Sequence, residues 1–83
     1  MTSFRLDTFK RAEQLVELCK KYDDDIDVVW QRYIIDGKSI LGVTSLVGKV
    51  VTVEILTDDA TIKEKFDCEL NELQEDINAG RIN

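Results

Sequence analysis

The reactive side chains of this 83-residue sequence do not include an imidazole, because the chain contains no histidine. Histidine is the side chain whose unperturbed pKa lies between about 5 and 8, so Ser-His and Cys-His nucleophiles and imidazole phosphoryl chemistry are excluded. Cys19 and Cys68 lack CxxC spacing and have no histidine that would complete a zinc site. We therefore expect no metal site and no cofactor.

The remaining candidates carry oxygen atoms. Thr8 and Ser39 each precede an apolar run, the ordinary position of a helix N-cap. The acidic run at 23–25 is not followed by the central glycine and distal glutamate of a calcium loop, which favours a solvated turn. Asp58 and Asp59 precede a helical pattern, where acids usually serve as caps. We predict a non-enzymatic protein, and an enzyme that uses Asp58 and Asp59 is a third reading beside the two given below.

Length and charge restrict the class of protein further. Residues 1–83 fit a single domain, and 43% hydrophobic with 34% charged residues is a globular composition. The net charge of −6 repels phosphate backbones and anionic lipid, and the basic residues do not cluster. No apolar stretch approaches the roughly 20 residues of a membrane span. We expect a cytoplasmic protein that binds neither nucleic acid nor membranes.

Two helices must frame the candidate residues. From Phe9 to Tyr22 the apolar residues recur at steps of three and four, which predicts an amphipathic helix capped by Asp7 or Thr8. A second apolar stripe comprises Ile62, Phe66, Leu70, Leu73 and Ile77. Thr61 and Glu64 have the spacing of a capping box, and Gly80 is expected to end this helix, with a frayed tail at 81–83.

Alternating patterns predict the strands. Ile26 to Trp30 and Val50 to Leu56 alternate apolar and polar residues, and Tyr33 to Ile35 is the expected hairpin partner of the former. Ser3 to Leu6 can supply a short first strand. A sheet with one apolar face and two one-faced helices predict a two-layer α+β sandwich. The segment 36–46 stays open between another strand and a short helix over 40–46 with Ser39 as its N-cap.

Two segments have a recognisable spacing. Residues 38–46 read KSILGVTSL and residues 21–26 read KYDDDI. They resemble, at the same ungapped distance, the regulatory-serine segment and its upstream region in HPr, the phosphocarrier family of the bacterial sugar phosphotransferase system. The resemblance covers about residues 8–46. It implies the HPr-like open-faced β-sandwich, with a four-stranded antiparallel sheet, two longer helices on one face and one short helix beginning after Ser39.

The departures from the family bear on activity. In this register the phosphorylatable histidine of the family falls on Thr8, and the following arginine and proline fall on Lys10 and Arg11. A threonine phosphate ester lacks the high-energy P–N bond that lets phosphohistidine pass its phosphoryl group onward. The leader before the first helix also looks too short for the usual strand and active-site loop. The resemblance therefore implies a degenerate phosphocarrier position and no relay transfer.

Ser39 corresponds to the serine that HPr kinase/phosphorylase modifies in related proteins. A phosphate there adds about −1.5 to −2 charges beside Lys38. The family docks protein partners on the short helix, and the matching residues here are Ile40, Leu41 and Thr44, the last in place of the usual methionine. The catabolite-repression branch also lacks the histidine, keeps the serine and assists a transcriptional regulator. We predict such a regulatory module, or alternatively an unphosphorylated binding module using the surface of 40–46.

Overall fold

The computed structural model describes residues 2–82, with side chains for 2–75. Alternating apolar residues form its two central strands, and one-faced apolar residues form its two long helices. The strands and helices, in chain order, are β1 (Thr2–Arg5), α1 (Phe9–Lys20), β2 (Asp25–Trp30), β3 (Tyr33–Asp36), α2 (Ile40–Thr44), β4 (Val50–Leu56) and α3 (Ala60–Ile82). The segment that the residue pattern left open is thus a short helix.

The four strands form one antiparallel sheet in the order β1-β4-β2-β3. The inner face carries alternate residues such as Phe4, Val28 and Val53, which are fully buried. They share one core with Leu15 of α1 and Phe66 of α3, so the longer helices cover this face. The other face has no helix among the described residues. The predicted open-faced α+β sandwich, with two longer helices and one short one, is confirmed.

The outer face of the sheet carries a row of acidic side chains. Asp27 on β2 lies directly opposite Asp36 on β3 and Glu54 on β4. Side chains in such positions have Cβ atoms about 5 Å apart, and like charges there oppose strand pairing. The next row contains Val29, opposite Ile34 and Thr52, so the acidic row borders an apolar one.

The first strand lies one residue earlier than predicted, and the residues before the first helix hold this strand with only a short connection. β1 covers Thr2–Arg5. Leu6 then forms two hydrogen bonds with the connection between α2 and β4: its N–H donates to the Lys49 carbonyl (3.0 Å), and its carbonyl accepts from the Gly48 N–H (2.6 Å). The leader therefore does hold a strand. Only residues 6–8 separate that strand from α1.

The ends of the long helices also differ from prediction. α1 ends at Lys20 rather than Tyr22. The predicted capping box of Thr61 and Glu64 is wrong. The Asp59 carboxylate accepts from the backbone N–H of Thr61 at 2.9 Å, so the cap of α3 lies two residues before Thr61. α3 extends to Ile82, so Gly80 does not end it. The side chain predicted for the stripe at position 77 lies outside the described side chains, as does residue 83 of the expected tail.

Tyr22, just after α1, connects α1 to α3. Its ring meets Phe66 edge-on with centroids 5.2 Å apart, and its hydroxyl donates to the Glu69 carboxylate. Burial raises the pKa of Tyr22, and the hydrogen bond and charge of Glu69 raise it further. Within the described residues, no helix combines the length and apolar composition that a membrane span requires.

Candidate functional site

Ser39 is the N-cap of α2, as expected. Its backbone is extended (φ −98°, ψ 107°), and its Oγ accepts from the Gly42 backbone N–H at 3.3 Å. Its own N–H donates to the Asp36 carbonyl at 3.0 Å, and its carbonyl accepts from Val43 N–H at 2.9 Å. The side chain is half-buried rather than sealed. A hydroxyl in this position supports the helix and still reaches solvent.

Two opposite charges flank Ser39. The Asp36 carboxylate accepts from the backbone N–H of Lys38 at 2.9 Å, which fixes the turn between β3 and α2. The Lys38 side chain is half-buried. A negative group added to Ser39 would therefore meet one favourable and one unfavourable neighbour.

The short helix turns apolar side chains outward. Leu41 is 83% exposed and Ile40 is 40% exposed, whereas Val43 is fully buried. Thr44 is half-buried, and its hydroxyl donates to the carbonyls of Ile40 (2.8 Å) and Leu41 (3.1 Å). The hydroxyl of Thr44 is thereby satisfied within the helix. The exposed part of α2 is an apolar surface preceded by a lysine.

Gly42 lets α2 lie close to the sheet. A Cβ at this position would come within 2.5 Å of Ile35 Cγ2 on β3 and 3.3 Å of Ser39 Oγ. The first distance is shorter than real Cβ contacts allow. The glycine therefore sets the height of α2 above the edge strand, and with it the position of Ser39.

The residues predicted to stand at a degenerate phosphocarrier position have structural partners. Thr8 is the N-cap of α1, and its Oγ1 accepts from Arg11 N–H at 3.1 Å. Arg11 is only 2% exposed; its guanidinium donates to the Arg5 carbonyl at 2.8 Å and lies 3.9 Å from the Asp7 carboxylate. Lys10 is exposed and lines a groove of about 420 Å³ between α1 and α3. The two cations do not form a common site with the Thr8 hydroxyl.

The burial predicted for Phe9 from the helical stripe is wrong. The spacing of the apolar residues places Phe9 on the buried face of α1, but its side chain is 64% exposed. Helical side chains tilt toward the N-terminus, so a residue in the first turn projects beyond the core that the later turns cover. Its position as the first helical residue was the available signal. Phe9 adds an exposed apolar side chain beside Thr8.

The two cysteines differ in their surroundings. Cys19 is buried, Cys68 is exposed, and both are free thiols. Burial raises the pKa of the Cys19 thiol to about 12, with Lys38 opposing and Asp36 adding to the rise. Cys19 is therefore a protonated core residue at neutral pH. Among the described side chains, no group of His, Cys, Asp or Glu residues is arranged to hold a metal ion.

The backbone is similar to two solved structures. HPr-C-His from Thermoanaerobacter tengcongensis matches with a TM-score of 0.65 and 23% identity, over 88% of this chain and 91% of that one. Crh, the catabolite-repression protein of Bacillus subtilis, whose structure is described as a domain-swapped dimer, matches with a TM-score of 0.63 and 19% identity, over 83% and 79%. No protein-family model matches the sequence, and no curated protein matches it. The chain therefore has the HPr-like fold that its residues 21–26 and 38–46 predicted.

Proposed function

We propose that this chain is a non-catalytic, cytoplasmic regulatory protein of HPr-like fold, without phosphocarrier activity, and switched by phosphorylation of Ser39. The observation that carries the proposal is the position of Ser39, a half-buried N-cap hydroxyl at the start of a helix whose residues Ile40 and Leu41 are exposed. HPr kinase/phosphorylase is the proposed modifying enzyme. A transcriptional regulator in carbon catabolite control is the proposed partner, in keeping with the likeness to Crh.

The absence of carrier activity rests on chemistry. The chain has no histidine, and the Thr8 hydroxyl that stands at the corresponding position already accepts a hydrogen bond as a helix cap. The Arg11 guanidinium beside it is buried and bound to the Arg5 carbonyl. Neither group can store a phosphoryl group in a bond that transfers readily.

The proposed switch acts on recognition rather than on the fold. Phosphorylation would replace the Ser39 hydroxyl by a group with about −1.5 to −2 charges. The loss of one cap hydrogen bond costs about 0.5–1.5 kcal/mol, against a stability of about 5–15 kcal/mol for a typical domain. Lys38 and Asp36 act on the new charge in opposite directions. The main consequence is a changed electrostatic potential beside Ile40 and Leu41.

Direct phosphorylation tests the proposal. The full chain is incubated with ATP and an HPr kinase/phosphorylase, and intact mass with peptide mapping should find one phosphate on Ser39. Ser39→Ala should accept none. Ser45→Ala, which removes an exposed hydroxyl of the same segment, should be phosphorylated like the unaltered chain. Phosphate on Ser45, or none with several such kinases, contradicts the proposal.

A second pair of measurements tests the mode of action. Phosphoenolpyruvate and the general phosphotransferase enzyme should label nothing, and any acid-labile phosphate would overturn the absence of carrier activity. Ser39→Asp should alter partner binding while shifting the melting temperature by only a few degrees. A large thermal shift would mean that the added charge acts on folding.

A permanently unphosphorylated binding module is the second candidate. The 83% exposure of Leu41 favours it, because a large apolar side chain fixed on a helix suits an interface. This function requires the surface of 40–46 but no kinase. Absence of phosphate on Ser39 together with loss of partner binding in Leu41→Asp would select it.

A further inference from the structure

The β2–β3 hairpin ends in an ordered aromatic pair. The rings of Trp30 and Tyr33 stack with centroids 5.9 Å apart and an interplanar angle of 11°. The Lys49 ammonium lies 4.9 Å from the centroid of the Trp30 ring. Trp30 packs against the core, whereas Tyr33 is 59% exposed. The hairpin thus presents a fixed aromatic side chain beside a cation.

The first residue of the turn in this hairpin is not of a type that its backbone conformation favours. Gln31 has φ 54°, in the left-handed region that glycine or asparagine occupies at lower cost. Gln31 and Arg32 are both exposed. Tryptophan, arginine and tyrosine are the residue types most enriched at binding hot spots, and all three occur within 30–33. The turn therefore combines a residue type that costs the hairpin stability with residue types that are common at binding surfaces.

The charge of this region differs from that of the rest of the chain. Residues 28–50 contain Arg32, Lys38 and Lys49 against the single acid Asp36, a net charge of +2 that leaves −8 on the remainder of a chain whose total is −6. The Asp36 carboxylate faces the Lys38 N–H, at the end of β3 opposite the hairpin. Arg32 in the turn and Lys49 beside the Trp30 ring therefore place two cations at the hairpin end of an acidic protein.

We propose that this hairpin surface, defined as Trp30, Arg32, Tyr33 and Lys49, docks an acidic segment of a protein partner. An aromatic or aliphatic side chain of that segment packs on Tyr33, and its carboxylates pair with Arg32 and Lys49. Tyrosine and tryptophan supply contact area at a low entropic cost because they have few rotatable bonds. The partner's negative charge complements the local +2 of residues 28–50.

The hairpin surface is separate from the proposed phosphorylation site. Tyr33 and Asp36 are the two ends of β3, about 10 Å apart at the rise of a strand, and Ser39 lies beyond Asp36. Binding at the hairpin therefore does not depend on the function proposed above. Single-stranded nucleic acid also uses aromatic and cationic side chains, but the net charge of −6 opposes it.

Trp30 is the only tryptophan of the chain and reports directly on this surface. The full chain is titrated, by Trp30 fluorescence and backbone amide NMR, with synthetic peptides and an oligonucleotide. The peptides are an acidic one containing phenylalanine and leucine, an acidic one without apolar residues, and a basic one with the same apolar residues. The first should bind best, with shifts centred on 30–33 and 49. Stronger binding of the basic peptide or of the oligonucleotide, or shifts centred elsewhere, would overturn the proposal.

Matched variants separate local recognition from general charge. Arg32→Glu and Tyr33→Ser should each weaken the acidic peptide by about tenfold or more. Lys63→Glu changes the total charge by the same amount as Arg32→Glu, but at the first turn of α3, and should weaken it less than about twofold. Equal losses in Arg32→Glu and Lys63→Glu contradict the proposal. Thermal unfolding verifies that each variant is folded, and unchanged phosphorylation of Ser39 in Arg32→Glu keeps the two proposals distinguishable.

Discussion

The starts of α1 and α2 use the same local device in different surroundings. Thr8 and Ser39 both adopt extended backbone conformations and both accept a hydrogen bond from the backbone N–H three residues later. At α1 the charged neighbour Arg11 is turned into the protein, where it binds the Arg5 carbonyl. At α2 the neighbouring Lys38 is half-buried and the next two residues are exposed.

This difference separates a capping residue with buried neighbours from one beside an exposed apolar surface. The start of α1 holds β1 to the helix, because Arg11 connects the two elements and its ring contact with Phe4 (5.9 Å) lies in the core. The start of α2 rests on the sheet through Gly42 and leaves its outer side uncovered. A capping hydroxyl is therefore informative about function only when its surroundings are known.

Removal of the Arg11 side chain should have the largest effect. Arg11→Ala leaves the Arg5 carbonyl and the Asp7 carboxylate without this partner and creates a cavity, so we expect a loss of about 2–3 kcal/mol in unfolding free energy. That corresponds to roughly 10–20 °C in melting temperature for a domain of this size. Lys10→Ala, at the exposed neighbouring position, should change stability by less than about 0.5 kcal/mol. Similar losses in the two variants would remove the supporting role of Arg11.

Gly42→Ala tests how α2 rests on the sheet. The new methyl group would overlap Ile35 Cγ2, and overpacking of this kind costs about 1–3 kcal/mol. Urea unfolding measures the loss. Ile35→Ala removes the overlapping atom, so the double variant should be more stable than the sum of the single effects predicts. Strict additivity would show that the two side chains do not compete for the same space.

The stability of the fold should depend on pH through Cys19. Its thiol pKa is about 12 in the folded chain against an ordinary value of 9.0. Above pH 9.0 the unfolded chain releases this proton while the folded chain retains it, so stability should fall by up to about 1.4 kcal/mol per pH unit. Below pH 9.0 the contribution is constant. Urea unfolding between pH 8 and 10 should show the decline, and Cys19→Ala should lack most of it; the same slope in both chains assigns it to other groups.

The two caps should have small and similar structural effects. Thr8→Ala and Ser39→Ala each remove one capping bond, worth about 1 kcal/mol, and chemical unfolding measures both. The comparison then depends on a second readout, because only Ser39→Ala should prevent phosphorylation by an HPr kinase/phosphorylase. A loss of phosphorylation in Thr8→Ala would join the two regions into one recognition surface.

Much of the architecture could be predicted from the residues. The alternation in 26–30 and 50–56 and the stripes of the long helices depend on local spacing. The structure confirms them for the described side chains other than Phe9. The short helix could not be predicted in this way, because Ile40 to Leu46 fits both a strand and a helix pattern. Only the HPr resemblance favours the helix. Propensity is weakest where a segment is short, because few residues then share the pattern.

The errors share a physical cause. Phe9 fits its stripe but lies beyond the part of the core that covers it, and Asp59 caps α3 although Thr61 and Glu64 have the expected spacing. Arg11 is buried because the Arg5 carbonyl, at the end of β1, accepts a hydrogen bond from it, and the local sequence pattern does not encode this contact. The roles of Ser39 and its neighbouring residues stay predictions, since a fold likeness does not assign them.

The acidic row on the outer face of the sheet makes the stability of this protein depend on the salt concentration of the solution. Asp27 stands between Asp36 and Glu54, so both strand pairings of β2 form against electrostatic repulsion. Dissolved ions shorten the reach of that repulsion, to about 8 Å at physiological ionic strength. The sheet should consequently be tightest in concentrated electrolyte and loosest in dilute buffer, opposite to a fold held together by surface ion pairs.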